Sequence, residues 1–294
     1  MSLAKNVLEL ARWAPSGDNS QPWRFKVLSE RDFDVYGYDT RSHCVYDLDG
    51  WSSQLAHGML LETIAIAATR FGCRAHLTLP ERDTPHLDLP GSETPPLRYR
   101  INLEVDAALA PDPLAAVIVE RSVQRWPMRA LGLTGPQRAS LEEAARPLRI
   151  AWFESWPARA RVAWLCARNA RIRMTIPEAY AVHRSVIAWH ATTSEDRLPD
   201  ASLGAGPMLL AMMRSAMVSW QRLDRLNRWT GTLLPRLALD FLPGVLCSAQ
   251  LAIVADREPA TLADRIAAGR AIQRVWLSAT ALGLQMQPQY TPLV

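Results

Sequence analysis

Two apolar segments that begin and end at glycine place the strongest constraint on the fold of this chain. The first runs from Gly58 to Gly72 and the second from Gly269 to Gly283. Both carry apolar residues on nearly all faces of a helix, which is typical of a helix that is buried on every side. Each closes at a glycine, as helix C-termini commonly do. We therefore predict two corresponding central helices in a dimer-like core, produced by an internal duplication of the chain.

The length and composition of the chain allow a sizeable core. Its 294 residues are 49% apolar, enough for one large domain or for two closely packed halves. A Pro- and Asp-rich stretch at 106–113 marks the predicted boundary. We predict a first half over 1–110 and a second half over 111–294. The second half is predicted to contain a helical insertion at about 174–248, called the lid below, and a C-terminal helix.

Hydrophobic periodicity predicts an α+β fold with an antiparallel-rich sheet. In the first half we expect a helix over 3–13, a hairpin with strands at 23–28 and 33–38, a helix over 52–71 and strands at 75–79 and 99–105. A polar excursion rich in proline is expected over 80–96. In the second half we expect helices over 114–120, after Thr134, and over 157–173, 177–190 and 262–282, with a strand at 249–255.

Charge and cysteine usage exclude several classes of site. The net charge is +4, and all 33 basic residues except Lys5 and Lys26 are arginines, scattered without a long basic run. This distribution argues against a nucleic-acid-binding patch. Arginine suits phosphate and carboxylate binding, although the bias towards it also fits a GC-rich genome. The four cysteines lie far apart, so we predict reduced thiols and neither a zinc site nor a disulfide framework.

The chain shows no targeting pattern. Its first ten residues lack the charged and long apolar regions of a signal peptide, and no apolar run has membrane-spanning length. We therefore expect a cytoplasmic protein that acts on a small-molecule substrate and has neither a nucleic-acid nor a membrane partner.

The stretch 14–23, APSGDNSQPW, is the strongest candidate for a ligand-binding loop. Its proline fixes one backbone angle, and the short residues that follow leave N–H groups free to face an oxygen-rich ligand. Its two amide side chains both donate and accept, as recognition of a heterocycle edge requires. The alternative is an ordinary helix-to-strand turn whose tryptophan anchors the core. The candidate binding residues are Pro15, Ser16, Gly17, Asn19 and Gln21.

The pattern A-P-S-x-x-N-x-Q-P-W resembles the flavin-binding loop of the FMN-dependent nitroreductase family. The two glycine-flanked helices resemble the central helix of the same family, the second more closely. Together the similar segments cover about 11–72, 117–126 and 251–287. The resemblance implies a nitroreductase-like fold in which two fused halves form a pseudo-dimer, with FMN as the cofactor and NAD(P)H as the reductant.

The resemblance also implies a composite site. Family members build the FMN site across a dimer interface, from an Arg/Ser element of one subunit and the loop of the other. Here the loop lies in the first half, whereas Arg121, Ser122 and Arg125 lie in the second, and the reciprocal pair of elements is missing. We therefore expect one FMN per chain between the halves, with these three residues at its phosphate. A solvated helix face is the alternative for the arginines.

The lid is unusually dense in tryptophan, arginine and histidine. Aromatic side chains there would stack on a planar substrate and arginines would fix its charge. Alternatively, the lid is helical and its tryptophans fill a core. We do not predict a metal site, because the two histidines that would share a helix face lack a third ligand. The substrate or lid candidates are His183, Trp189, His190, Trp220 and Arg222.

The implied activity is NAD(P)H-dependent reduction of an electron-poor acceptor, a nitro-aromatic or a quinone, by hydride transfer through flavin N5. Such an enzyme needs no catalytic side chain, because the cofactor carries the chemistry. Two alternatives remain open: an FMN-storage or redox-sensing protein without turnover, and a flavin-dependent dehydrogenase of a peptide or carrier-bound substrate. The choice of NADH or NADPH and a further homodimerisation also remain open. A basic residue that the family places after its last strand has no counterpart before Val294, so either this contact is absent or the natural chain continues.

Overall fold

The computed structural model describes residues 2–79, 96–129 and 131–290. The described chain is a mixed α and β structure with a four-stranded antiparallel sheet, which confirms the predicted α+β class. The predicted polar excursion lies outside the described residues, except for its last position.

The first half forms the sheet and the two helices that pack on it. Its elements are α1 (Leu3–Ala11), β1 (Trp23–Val27), β2 (Asp32–Gly37), α2 (Trp51–Thr69), β3 (Cys73–Thr78) and β4 (Leu97–Val105). The strand order is β1-β2-β4-β3, with every pair antiparallel, and α2 connects β2 to β3. The predicted hairpin, helices and strands of this half are therefore confirmed to within a few residues.

Alternation along the central strands creates the main core. Phe33 pairs with Ile101 and Val35 pairs with Tyr99 across β2 and β4, and all four side chains are buried. Because residues two apart share one face of a strand, these pairs form a continuous apolar surface. Residues of α1 and α2 cover that surface and complete a single cluster.

The second half contains a smaller sheet and most of the helices. Its elements are α3 (Gly135–Ala145), β5 (Arg149–Phe153), α4 (Trp156–Thr175), α5 (Pro177–Val186), β6 (Ile187–Ala188), β7 (Leu198–Pro199), α6 (Pro207–Ala216), α7 (Trp220–Thr230), α8 (Leu233–Arg236), α9 (Leu242–Val245), β8 (Gln250–Val254) and α10 (Leu262–Ala281). Strands β5 and β8 are antiparallel, and β6 pairs with β7 in parallel. The order α3-β5-β8-α10 repeats the order α1-β1-β2-α2, with α4 to α9 lying between β5 and β8.

Two sequence predictions in this half are wrong in detail. The helix predicted over 177–190 ends at Val186, because Ile187 is extended and pairs with Leu198. His190 lies beyond the helix with φ +60, so it shares no helix face with His183. The helix predicted over 114–120 is instead a short 3-10 helix, Pro113–Val117, followed by a turn.

Helices α2 and α10 make the most extensive contact between the halves, and they cross at glycine. A Cβ placed on Gly58 would lie 2.8 Å from the Cα of Gly269, and a Cβ placed on Gly269 would lie 2.8 Å from the Cα of Gly58. The reciprocal backbone contacts, to Ile266 O and Leu55 O, are closer still. The two backbones therefore touch, and neither position has room for a side chain.

Polar contacts between α2 and α10 follow the same reciprocal pattern. Glu62 is only 4% exposed and accepts from Arg270 at 2.6 Å and from Arg274 at 2.8 Å. Gln273 donates to the Thr63 hydroxyl at 2.9 Å. If residue 58 is matched to 269, then residue 62 matches 273 and 63 matches 274, so the contacts 62–274 and 63–273 are equivalent. Such reciprocity is what two copies of one surface produce when they meet.

Among the described residues, no helix has the length and apolar character needed to cross a bilayer. All four cysteines are unpaired: Cys44 is partly exposed, whereas Cys73, Cys166 and Cys247 are buried.

Candidate functional site

The predicted loop is a tight turn with unusual backbone angles. After α1 the chain forms a 3-10 turn, Gly17–Asn19, before it enters β1. Asp18, Asn19 and Gln21 have φ values of +51, +58 and +45. Positive φ is uncommon for non-glycine residues and marks local strain. The Ser16 hydroxyl accepts a hydrogen bond from the backbone N–H of Gln21 at 2.9 Å, and this bond closes the loop.

A buried histidine of α2 holds the end of this loop. The Nε2 atom of His57 lies 3.0 Å from Pro22 O and 3.1 Å from Tyr38 O, and its Nδ1 atom lies 3.1 Å from the Tyr99 hydroxyl. Because both carbonyls only accept, Nε2 must carry the proton and Nδ1 must accept from Tyr99. Gly37 permits this contact, since a Cβ there would lie 2.5 Å from the imidazole ring.

Stability is expected to fall in mild acid because of His57. Burial lowers the pKa of His57 to about 4, below the ordinary value of 6.5. The folded state therefore favours the neutral ring. The resulting stabilisation is complete above pH 6.5 and decreases as the pH falls towards 4, by about 1.4 kcal/mol per pH unit.

Urea unfolding at several pH values across this range measures how steeply the free energy of unfolding depends on pH. We expect His57→Gln to lower stability at neutral pH and to flatten the dependence; an unchanged slope would contradict this assignment.

The arginine element contacts the residue that directly precedes the loop. Arg121 donates to Trp13 O at 2.9 Å, and its guanidinium carbon lies 4.4 Å from the centre of the Trp276 ring. Its Nε atom is buried without a hydrogen-bond partner. Burial lowers the pKa of Arg121 to about 10, and no carboxylate among the described residues offsets this effect. Arg121 is thus a partly buried cation that has no carboxylate partner among the described residues.

The second arginine lies between the loop and the lid. Arg125 donates to Ser202 O at 3.1 Å. Burial lowers the pKa of Arg125, and the Asp18 carboxylate opposes that effect. Gly204, with φ +69, packs on Arg125 so closely that a Cβ would lie 2.7 Å from Arg125 O. The side chain of Ser122, the third predicted phosphate ligand, is exposed.

A buried charged cluster lies beside the loop. Burial raises the pKa of Asp18, while Arg125 and Arg173 act in the opposite direction. Arg173 of α4 donates to Asp240 at 2.5 Å. The Nε atom of Arg173 and the second carboxylate oxygen of Asp240 are buried without partners. Sequence analysis missed Arg173 in this role, because nothing in the local pattern indicates which distant carboxylate it meets.

Of the five lid candidates, only His183 lies near this cluster. Its Nε2 atom lies 3.3 Å from the Tyr46 hydroxyl, and burial, followed by the charge of Arg173, lowers its pKa to about 4. The other four do not converge on the loop: Trp189 is partly buried, His190 contacts Arg214 at 2.6 Å, Trp220 packs on Tyr180 with ring centres 5.8 Å apart, and Arg222 donates to the Ser215 hydroxyl at 2.5 Å.

The loop amides bind the lid. Asn19 Nδ2 donates to Glu195 O at 3.2 Å and to Arg197 O at 3.3 Å. Gln21 Nε2 donates to Glu195 O at 2.6 Å and to the Asn19 side-chain oxygen at 3.3 Å. Both amides predicted to recognise a ligand edge therefore hold lid residues 195–197, and we call this set of contacts the latch.

The latch predicts how readily the lid opens. Removing both amides, Asn19→Ala with Gln21→Ala, deletes the hydrogen bonds to the lid but leaves the core intact. Each such bond contributes about 0.5–1.5 kcal/mol, so we expect tryptic cleavage after Arg197 to accelerate by about 10-fold. Timed proteolysis measures the rate and circular dichroism checks the fold. Gln137→Ala removes a capping amide from α3 and serves as the control. Equal cleavage rates for both variants would show that the latch does not restrain the lid.

The described residues contain no group of three His, Cys, Asp or Glu side chains arranged to hold a metal ion. No protein-family model matches this chain, and no curated protein is significantly similar to it. The resemblance to nitroreductases therefore rests on the sequence motifs alone.

Proposed function

We propose that this chain is an FMN-dependent oxidoreductase with a nitroreductase-like fold, in which two fused halves bind one FMN between them. The observation that carries the proposal is the desolvated charge of Arg121, which has no carboxylate partner among the described residues and donates to Trp13 O, directly before the loop. This contact brings the arginine element beside the loop, the two sequence elements that the resemblance places in different halves.

Two features support fused halves of common origin. The contacts between α2 and α10 are reciprocal about Gly58 and Gly269. Both halves also share the order helix, strand, strand, helix, and in each the second helix is followed by a glycine of positive φ, Gly72 at +64 and Gly283 at +71. In this arrangement α4 to α9 form an insertion between the two hairpin strands of the second half, which begins at Trp156, well before the predicted start of the lid.

The arginine environment fits a phosphate-bearing cofactor. Moving a cation out of water is costly unless an anion or hydrogen-bond acceptors compensate for the lost hydration. Among the described residues, Arg121 has one carbonyl and one aromatic face as partners, and its Nε atom has none. A phosphate would supply the missing charge through charge-assisted hydrogen bonds. Arg125, also desolvated, would contribute a second contact from the same segment.

The loop fits the rest of the cofactor. Gly17 faces open space, with nothing within 4 Å of the position of a Cβ, so a planar ring can approach its backbone. In the proposed complex, Pro15 and Ser16 line the ring and the ribityl chain, while Asn19 and Gln21 exchange lid carbonyls for the flavin edge. Bound FMN supplies hydride transfer between NAD(P)H and an electron-poor acceptor, and the chain binds and orients it.

Reconstitution followed by turnover tests this activity. The full chain is loaded with FMN and mixed with NADH or NADPH and a quinone or nitro-aromatic acceptor. We expect oxidation of the nicotinamide that depends on the acceptor and on bound FMN. A chain that fails to bind FMN and does not oxidise the nicotinamide would overturn the proposal.

The latch favours a second candidate, an FMN-storage or redox-sensing protein. A lid held by Asn19 and Gln21 over the loop restricts access to whatever the loop binds. A storage protein would bind FMN without turnover, both as the natural chain and after removal of the latch. An enzyme limited by the lid would instead turn over faster per bound FMN in the variant with both amides removed, even though that variant also loses contacts to the flavin edge.

A further inference from the structure

Helices α6 and α7, joined by residues 217–219, enclose an apolar groove on the surface of the lid. Its volume is about 790 Å³. Met208 and Met212 of α6 form one wall, and Leu226 and Trp229 of α7 form the other, with Arg222 and Arg225 along the rim. No residue of α7 is buried. The groove therefore has apolar walls that the described part of the chain leaves uncovered.

Three apolar side chains of this groove are largely exposed to solvent. Trp229 is 91% exposed, Met208 79% and Met212 56%. Clustered exposure of large apolar side chains marks an interaction surface. Tryptophan, methionine and arginine are the residue types enriched in protein–protein interfaces. Methionine walls also adapt readily to the shape of a partner.

The charge of the rim indicates the chemistry of that partner. Arg222 donates to the Ser215 hydroxyl and Arg225 to Gln221 O, and neither arginine has a carboxylate within ion-pair distance among the described residues. The only acidic residue on either helix is Asp224, which is already paired with Arg228 at 2.8 Å. The two rim arginines therefore present uncompensated positive charge beside an apolar floor.

We infer that this groove binds an acidic amphipathic helix of a protein partner. A helix laid between two others buries its apolar face in their groove, and its flanking carboxylates would meet Arg222 and Arg225. A second copy of this chain would instead bring rims of like charge together. A flat membrane surface would leave the concave floor uncovered. The inference does not depend on FMN binding.

A synthetic peptide provides the direct test. The probe is a fluorescein-labelled helix of about 18 residues with leucines at i, i+3, i+4 and i+7 and glutamates on both flanks. Anisotropy with the full chain should show saturable binding that weakens in about 0.5 M salt. A matched peptide with glutamine in place of glutamate should bind about 10-fold more weakly.

Variants of the chain localise the binding. Arg222→Gln with Arg225→Gln should weaken the glutamate peptide about 10-fold, and Trp229→Ala should also weaken it. Arg31→Gln with Arg70→Gln is the control, since both arginines are exposed and lie on the first half. Equal affinity for the two peptides, or equal affinity of the rim variant and the control, would overturn the inference. So would a chain that binds phosphatidylglycerol vesicles, or that self-associates through Met212, without binding the peptide.

Discussion

Gly269→Val is expected to prevent folding, or to lower the free energy of unfolding by more than about 4 kcal/mol. The Cα of Gly58 would lie 2.8 Å from the first side-chain atom, and the carbonyl of Leu55 would lie closer still. The obstructing atoms belong to the backbone of α2, so they cannot rotate away, and the crossing of α2 and α10 would have to widen. Urea denaturation followed by circular dichroism measures the loss.

Gly135→Ala is the matched control. Gly135 is also helical, but a Cβ there meets nothing within 4 Å. Alanine at this position should leave stability unchanged or raise it by up to about 1 kcal/mol. If Gly269→Val were tolerated as well as this control, the direct backbone contact between α2 and α10 would be wrong, and with it the main support for a fused pair of halves.

The double variant Arg121→Gln with Arg125→Gln is expected to abolish retention of FMN. Each charge-assisted hydrogen bond contributes about 1.5–3 kcal/mol, so each substitution should weaken FMN binding by about 10- to 100-fold. Fluorescence quenching during titration with FMN measures the affinity. The fold should persist, because glutamine keeps a polar side chain at both positions and, at Arg121, removes a desolvated charge that has no carboxylate partner among the described residues.

Two further measurements test whether the arginines act on the phosphate of FMN. Riboflavin lacks the phosphate, so its affinity should differ little between the natural chain and the double variant. Arg138→Gln, which breaks the ion pair between Arg138 and Glu154 on the far side of the second half, should leave FMN affinity unchanged. Equal loss of FMN and riboflavin would mean that the arginines support the loop rather than bind phosphate.

The regular elements were predictable because their signals are local. The apolar run after Gly58 and the closing Gly72 predict α2, and the capping threonine at 134 predicts α3, whose capping box the structure confirms. The composite site of the loop and the arginine element stays a prediction, since it rests on the resemblance to a family.

Long-range contacts account for what the sequence did not predict. The end of α5 is set by the pairing of Ile187 with Leu198, which helical spacing cannot reveal. The ion pair of Arg173 with Asp240 joins helices far apart in the chain. Asn19 was predicted to face a ligand, whereas in the structure it binds the lid. In each case the contact joins residues that only the tertiary fold brings close together.

The visible absorbance spectrum of the purified full chain, followed by release and quantitation of the cofactor, tests the central proposal most directly. The composite site between the loop and Arg121 predicts a flavin spectrum and about one FMN per chain. A colourless protein that also fails to bind added FMN would contradict the proposal, and the buried charge of Arg121 would then require a different anionic ligand.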